Sequence, residues 1–165
     1  MVQKSHSRSQ FHLTEDQIRQ LVKHTDKLRD KVIIKLLAYC GLRRFEVAKI
    51  KIEDIDFETK KIQIKGKKEI HRLATIFSDQ LLEDLKIYTQ YVLQGKKSGY
   101  LFPSVSSLNG EGFIAPTQIN RIVAKAGKRA QLHNPIPELK NINPHILRHS
   151  CARILKDRGL SLEVV

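Results

Sequence analysis

The chain has 165 residues, 41% of them hydrophobic and 28% charged, a balance that fits one folded domain and excludes both a disordered tail and a membrane-embedded protein. Lys and Arg number 30 against 17 Asp and Glu, a formal net charge of +13. A domain this basic attracts polyanions: nucleic acid first, an anionic membrane surface second, or simply a solvated basic exterior. Residues 1–10 (MVQKSHSRSQ) are polar, basic and aperiodic, and read as a flexible arm ahead of a domain over 11–165. Thr14 and Gln17 form the pattern of a helical capping box, followed by Ile18, Leu21 and Val22 at helical spacing. A second helix is expected from Lys27 to Cys40, apolar on most sides and therefore central, with Gly41 as its left-handed cap. Arg43 to Ile50 reads as a short helix and Glu53 to Asp56 as a turn. Two strands follow, around Ile62–Ile64 and Arg72–Phe77, joined by the basic hairpin turn Lys65-Gly66-Lys67-Lys68-Glu69-Ile70-His71.

Ser78 is placed to cap a helix to about Leu93, with Leu81, Leu82, Leu85 and Tyr88 or Val92 on its inner face. Gly95 to Pro116 is loop anchored by Tyr100-Leu101-Phe102, and Thr117 is read as the cap of a helix to about Ala130. A second loop spans His133 to Asn143, and Pro144 opens a helix to about Arg158. Ser161 reads as the cap of one more helix. The sum is a mainly helical α+β domain with one small antiparallel hairpin or sheet. Cys40 and Cys151 lack metal-site spacing and read as reduced cytosolic thiols. No segment is apolar for long enough to span a bilayer, so no membrane partner is expected.

Three clusters carry charge of interest. Gly41-Leu42-Arg43-Arg44-Phe45-Glu46 puts an arginine just past a buried helix with a carboxylate three residues on, the pattern either of an anion-facing guanidinium held by Glu46 or of an ordinary surface ion pair. In Pro144-His145-Ile146-Leu147-Arg148-His149, the spacing puts His145 and Arg148 on one face of a helix N-terminus. An anion is favoured there; a capping or core histidine is the plainer reading of His145. His149 is expected to point elsewhere. The hairpin lysines Lys65, Lys67 and Lys68 fit a solvated flank or a tip that enters a DNA groove. Aromatics are only 6%, with no Trp, which argues against base-stacking platforms for RNA.

Taken in order, Leu13-Thr14-Glu15, GLRRFE, the Glu53–Asp56 turn before a basic hairpin, and PHILRHS resemble the catalytic domain of tyrosine recombinases, the phage integrase family, over nearly all of residues 11–165. The resemblance implies site-specific DNA recombination or integration without metal or cofactor. Strands are broken and rejoined through a 3′-phosphotyrosine on double-stranded DNA, in a self-associated synaptic tetramer, by a cytoplasmic, nucleoid-associated protein of prokaryotic or viral origin. It assigns Arg43 and Arg148 as the two phosphate-holding arginines, His145 as their partner and Glu46 as support for Arg43. Lys68, with Lys67 next, is the hairpin lysine that protonates the leaving oxygen. Lys65, Lys67, Arg44 and Arg72 are then DNA contacts; Arg44 stands where the family is usually apolar. In the family a further His or Trp and then the nucleophilic tyrosine follow the short helix near Ser161, and Tyr39, Tyr88, Tyr91 and Tyr100 match neither position. The expectation is a catalytic domain incomplete at its C-terminus and without the family's N-terminal core-binding domain, inactive in cleavage by itself. A non-catalytic DNA-binding or regulatory remnant is the alternative.

Overall fold

The computed structural model describes residues 11–65, 71–105, 112–136 and 140–160. The basic arm, the hairpin turn with Lys67 and Lys68, and the helix expected at Ser161 lie outside the described residues. The elements in order are α1 (Glu15–Lys23), α2 (Leu28–Tyr39), α3 (Arg44–Ala48), a 3-10 turn (Ile52–Asp54), β1 (Ile55–Asp56), β2 (Lys61–Lys65), β3 (His71–Thr75), α4 (Asp79–Ile87) with a π turn (Tyr88–Val92), α5 (Pro116–Arg129) and α6 (Pro144–Asp157).

The core is organised around α2. Val32, Ile33, Ile34, Leu36, Leu37 and Ala38 are buried on several sides of this helix, which packs on α1, α3, α4, α5 and α6. Such a helix gains its stability from surrounding contacts rather than from one amphipathic face. Thr14 Oγ1 accepts from the Gln17 amide at 3.2 Å and Gln17 Oε1 accepts from the Thr14 amide at 2.9 Å, so the capping box starts α1 where expected. The Leu13 amide donates to Ser150 Oγ at 2.7 Å, tying the entry of α1 to α6. Cys40 and Cys151 are buried free thiols; burial raises the pKa of both, that of Cys151 to about 12.

Three readings are corrected. The β-structure is a three-stranded antiparallel sheet, β1-β2-β3, in which the end of the expected Glu53–Asp56 turn supplies a strand. Its edge strand is only two residues long, Ile55 and Asp56 opposite Ile62 and Lys61, too short for alternation to reveal it. Thr117 does not cap α5: the helix begins at Pro116 with Ala115 as N-cap, because proline already has helical φ and needs no partner for an N–H. The α4 segment ends at Ile87 and continues as a π turn, which buries Tyr88 and leaves Val92 51% exposed. The Tyr88 hydroxyl donates to the Leu101 carbonyl at 2.9 Å, anchoring the long loop as the Tyr100–Phe102 segment suggests. Among the described residues no helix is long and apolar enough to cross a membrane.

After α2, Gly41 sits at φ 65°, in the left-handed region, and its carbonyl accepts from Arg148 Nη1 at 2.9 Å. The reversal both ends α2 and aims that oxygen at α6. Gly41→Ala is expected to lower stability by about 1–2 kcal/mol, read as a lower urea midpoint with an unchanged slope. An unchanged midpoint would remove this role from the glycine.

Candidate phosphate-binding cleft

The two motif clusters meet. Arg43 is the N-cap of α3, and His145 and Arg148 lie on the first turns of α6, whose N-cap Asn143 accepts from the Ile146 amide through Oδ1 at 3.0 Å. Arg43, Arg44, Asn143, Pro144, His145 and Arg148 line one cleft of about 450 Å³, with Asn120 of α5 on its wall. The positive end of α6 therefore opens on the same space as the guanidinium groups. Asn120 Oδ1 is buried there without a hydrogen-bond partner among the described residues.

Glu46 is the hub beneath the cleft, and its principal partner differs from the one expected. Arg72 grips it with two hydrogen bonds, Nη2 to Oε1 at 2.7 Å and Nε to Oε2 at 3.3 Å. Arg148 Nη1 lies 3.7 Å and Arg43 Nη1 3.9 Å from the same carboxylate, while the Arg43 backbone N–H donates to Oε1 at 2.8 Å. Arg72, expected as a DNA contact, thus has its guanidinium engaged with Glu46. The signal was in the alternation. Arg72 pairs with Ile64, and Ala74 with Ile62; Ile62, Ile64 and Ala74 are buried while Leu73 is 45% exposed, so Arg72 shares the inward face.

Three guanidinium groups share one carboxylate, which leaves two positive charges uncompensated at the cleft. Burial of Arg148, then repulsion from Arg43, lowers its pKa, with Glu46 opposing and Arg72 adding to the fall; a guanidinium nevertheless stays charged at neutral pH. Such a site is relieved by an anion. The Arg43 side chain is 63% exposed against 24% for Arg148, so Arg148 is the fixed donor and Arg43 the adaptable one.

Arg44 stacks its guanidinium over the Phe45 ring, 5.1 Å from the centroid. Lys65, half exposed, lies 3.7 Å from Asp54 at the end of β2. Lys67 and Lys68 fall outside the described residues. His149 does not point away as expected: its Nε2 stands 2.7 Å from His145 Nε2. Their separation of four residues was the signal for it. None of the four tyrosines lines the cleft.

Residues 12–165 match the phage integrase family. The chain is 33% identical over 153 residues to tyrosine recombinase XerA of Pyrococcus horikoshii, covering 93% of this chain and 50% of that protein. The crystal structure of XerA recombinase superposes with a TM-score of 0.73 at 28% identity, over 90% of this chain and 51% of that one. XerH site-specific recombinase bound to its difH substrate has the same fold, with a TM-score of 0.68 at 23% identity over 89% of this chain and 43% of that one. The chain spans about half the length of the relatives it matches.

Proposed function

This chain belongs to the phage integrase family, and from that membership we propose that residues 11–165 supply the phosphate-holding site of a tyrosine recombinase acting on double-stranded DNA. The observation that carries the reading is the cleft itself, where Arg43, His145 and Arg148 converge and the one carboxylate of Glu46 leaves the guanidinium groups short of counter-charge.

In this reading one DNA phosphate enters the cleft and its non-bridging oxygens accept hydrogen bonds from Arg148 and Arg43. Both side chains are planar, permanently charged and able to donate twice. Charge builds on those oxygens as a tyrosine oxygen attacks phosphorus and the 5′-oxygen departs. Donors fixed beforehand stabilise that state more than the ground state. His145 donates to the same phosphate. Lys68 gives its proton to the departing 5′-oxygen, which leaves as a hydroxyl, a step open to an ammonium but not to a guanidinium at neutral pH. Attack by a 5′-hydroxyl of the partner strand reverses the sequence, and the protein–DNA ester keeps the bond energy. Lys65, Arg44 and Lys67 contact the DNA backbone, and several copies assemble on the DNA.

The nucleophile is supplied by residues outside this sequence, since Tyr39, Tyr88, Tyr91 and Tyr100 all lie off the cleft. The same observation favours a second reading, in which this chain binds DNA without cutting it. The two part on duplex binding by single variants. Arg148→Ala is expected to weaken binding by about 1.5–3 kcal/mol, the range for a charge-assisted bond in a partly dry site. Lys65→Ala, outside the lining of the cleft, lowers affinity a few-fold and takes about one unit from the salt slope. Equal losses for both would favour the second reading.

A further inference from the structure

His145 and His149 stack edge to face on α6, with ring centroids 4.0 Å apart and planes at 76°, and their Nε2 atoms are 2.7 Å apart. A separation that short between imidazole nitrogens requires one hydrogen between them, because two lone pairs repel and two N–H groups collide. One ring donates and the other accepts. We propose that His149 is the donor and a positioning residue for His145. It holds His145 as the Nδ1–H tautomer, so that the neutral imidazole presents an N–H, rather than a lone pair, to an anion in the cleft.

The direction follows from exposure. In water a neutral imidazole favours the Nε2–H form, and a pair joined through both Nε2 atoms forces one ring out of it. The displaced ring must then find water or an acceptor for Nδ1–H. His145 is exposed, whereas His149 is half-buried, so water reaches a displaced Nδ1–H more readily on His145, and the displaced ring is His145.

The charged and titratable groups bearing on His149 are His145 and Arg148; burial and those two groups lower its pKa, which keeps it neutral. Arg43, Arg44 and Arg148 line the cleft beside His145. A neutral histidine can help hold a phosphate only through the nitrogen that carries hydrogen, and here His149 decides which one does. This role at the phosphate rests on the function proposed above; the tautomer does not.

Two-bond proton–nitrogen NMR on the ring nitrogens of this chain at neutral pH, without DNA, tests the pairing. His145 is expected to carry its hydrogen on Nδ1 and His149 on Nε2. His149→Phe is expected to return His145 to the Nε2–H form, while His149→Gln, whose amide N–H can replace the donor, keeps it on Nδ1. The wild-type spectrum alone decides the direction if a variant fails to fold: Nε2–H on His145 overturns the proposal, as does an unchanged tautomer in a folded His149→Phe. In the complete recombinase His149→Phe is expected to slow cleavage roughly tenfold at unchanged DNA affinity, with His149→Gln restoring most of the rate. The expected tautomers with a wild-type rate in His149→Phe would overturn the role at the phosphate and leave the pairing standing.

Discussion

Arg148→Ala is expected to lower strand cleavage by the complete recombinase about 10²–10³-fold, measured as the single-turnover rate at which DNA becomes linked to protein. The warrant is the fixity of its guanidinium: Nη1 donates to the Gly41 carbonyl at 2.9 Å and lies 3.7 Å from Glu46, with the side chain three-quarters covered. A donor held in this way pays no reorganisation when charge appears on the phosphate, and losing one such donor costs roughly 3–4 kcal/mol of transition-state stabilisation. The expected drop therefore exceeds the loss of DNA affinity. Arg43→Ala should fall in the same range. Arg43→Lys should recover little, because a lysine keeps the charge without the two-pronged geometry. A cleavage loss for Arg148→Ala no greater than for Lys65→Ala would take the site out of the chemistry.

Glu46→Ala is expected to damage folding and activity together. It removes the acceptor of two Arg72 hydrogen bonds and of the Arg43 backbone N–H, and leaves three guanidinium groups facing one another without a counter-charge. The side chain is 13% exposed, so solvent screens the loss only in part, and a fall of about 2–3 kcal/mol in unfolding free energy is expected. Part of that loss is repulsion, which salt screens; the urea midpoint of Glu46→Ala should therefore rise with added salt more steeply than that of the wild type. Glu46→Gln keeps an acceptor oxygen and should cost less. Identical salt responses for Glu46→Ala and wild type would mean that the three cations do not depend on this carboxylate. A double-mutant cycle with Arg72→Ala should return a coupling of about 1–3 kcal/mol, since the two side chains share two bonds.

How much of this was legible beforehand depended on the range of the interaction. The capping box at Thr14 and Gln17, the many-sided apolar pattern of α2 and the proline start of α6 are local rules, and each element forms where its rule places it. The convergence of Arg43 with His145 and Arg148 joins segments about a hundred residues apart, and nothing local encodes it; it was readable only because the motifs in their order resemble a known family. The misreadings are instructive in the same terms. β1 consists of two residues held by β2, so its strand character is lent by a partner. Thr117 has the right chemistry for a cap but follows a proline that starts the helix first. Arg72 and His149 could have been placed from spacing: alternation along β3 puts the arginine on the covered face, and four residues on a helix bring the two imidazoles together. Both were judged by residue type, charge for one and a structural role for the other, instead of by geometry. The unpartnered Asn120 oxygen on the cleft wall had no signal in the sequence, because only tertiary packing buries it.

The account reduces to one site, two arginines from distant segments closing on a single DNA phosphate, and the structure of this chain bound to a DNA duplex tests it most directly. The prediction is one phosphate seated in the cleft, with hydrogen bonds from both Arg43 and Arg148 and His145 on the same group. A duplex lying across another face, with those two guanidinium groups turned to solvent, would contradict it.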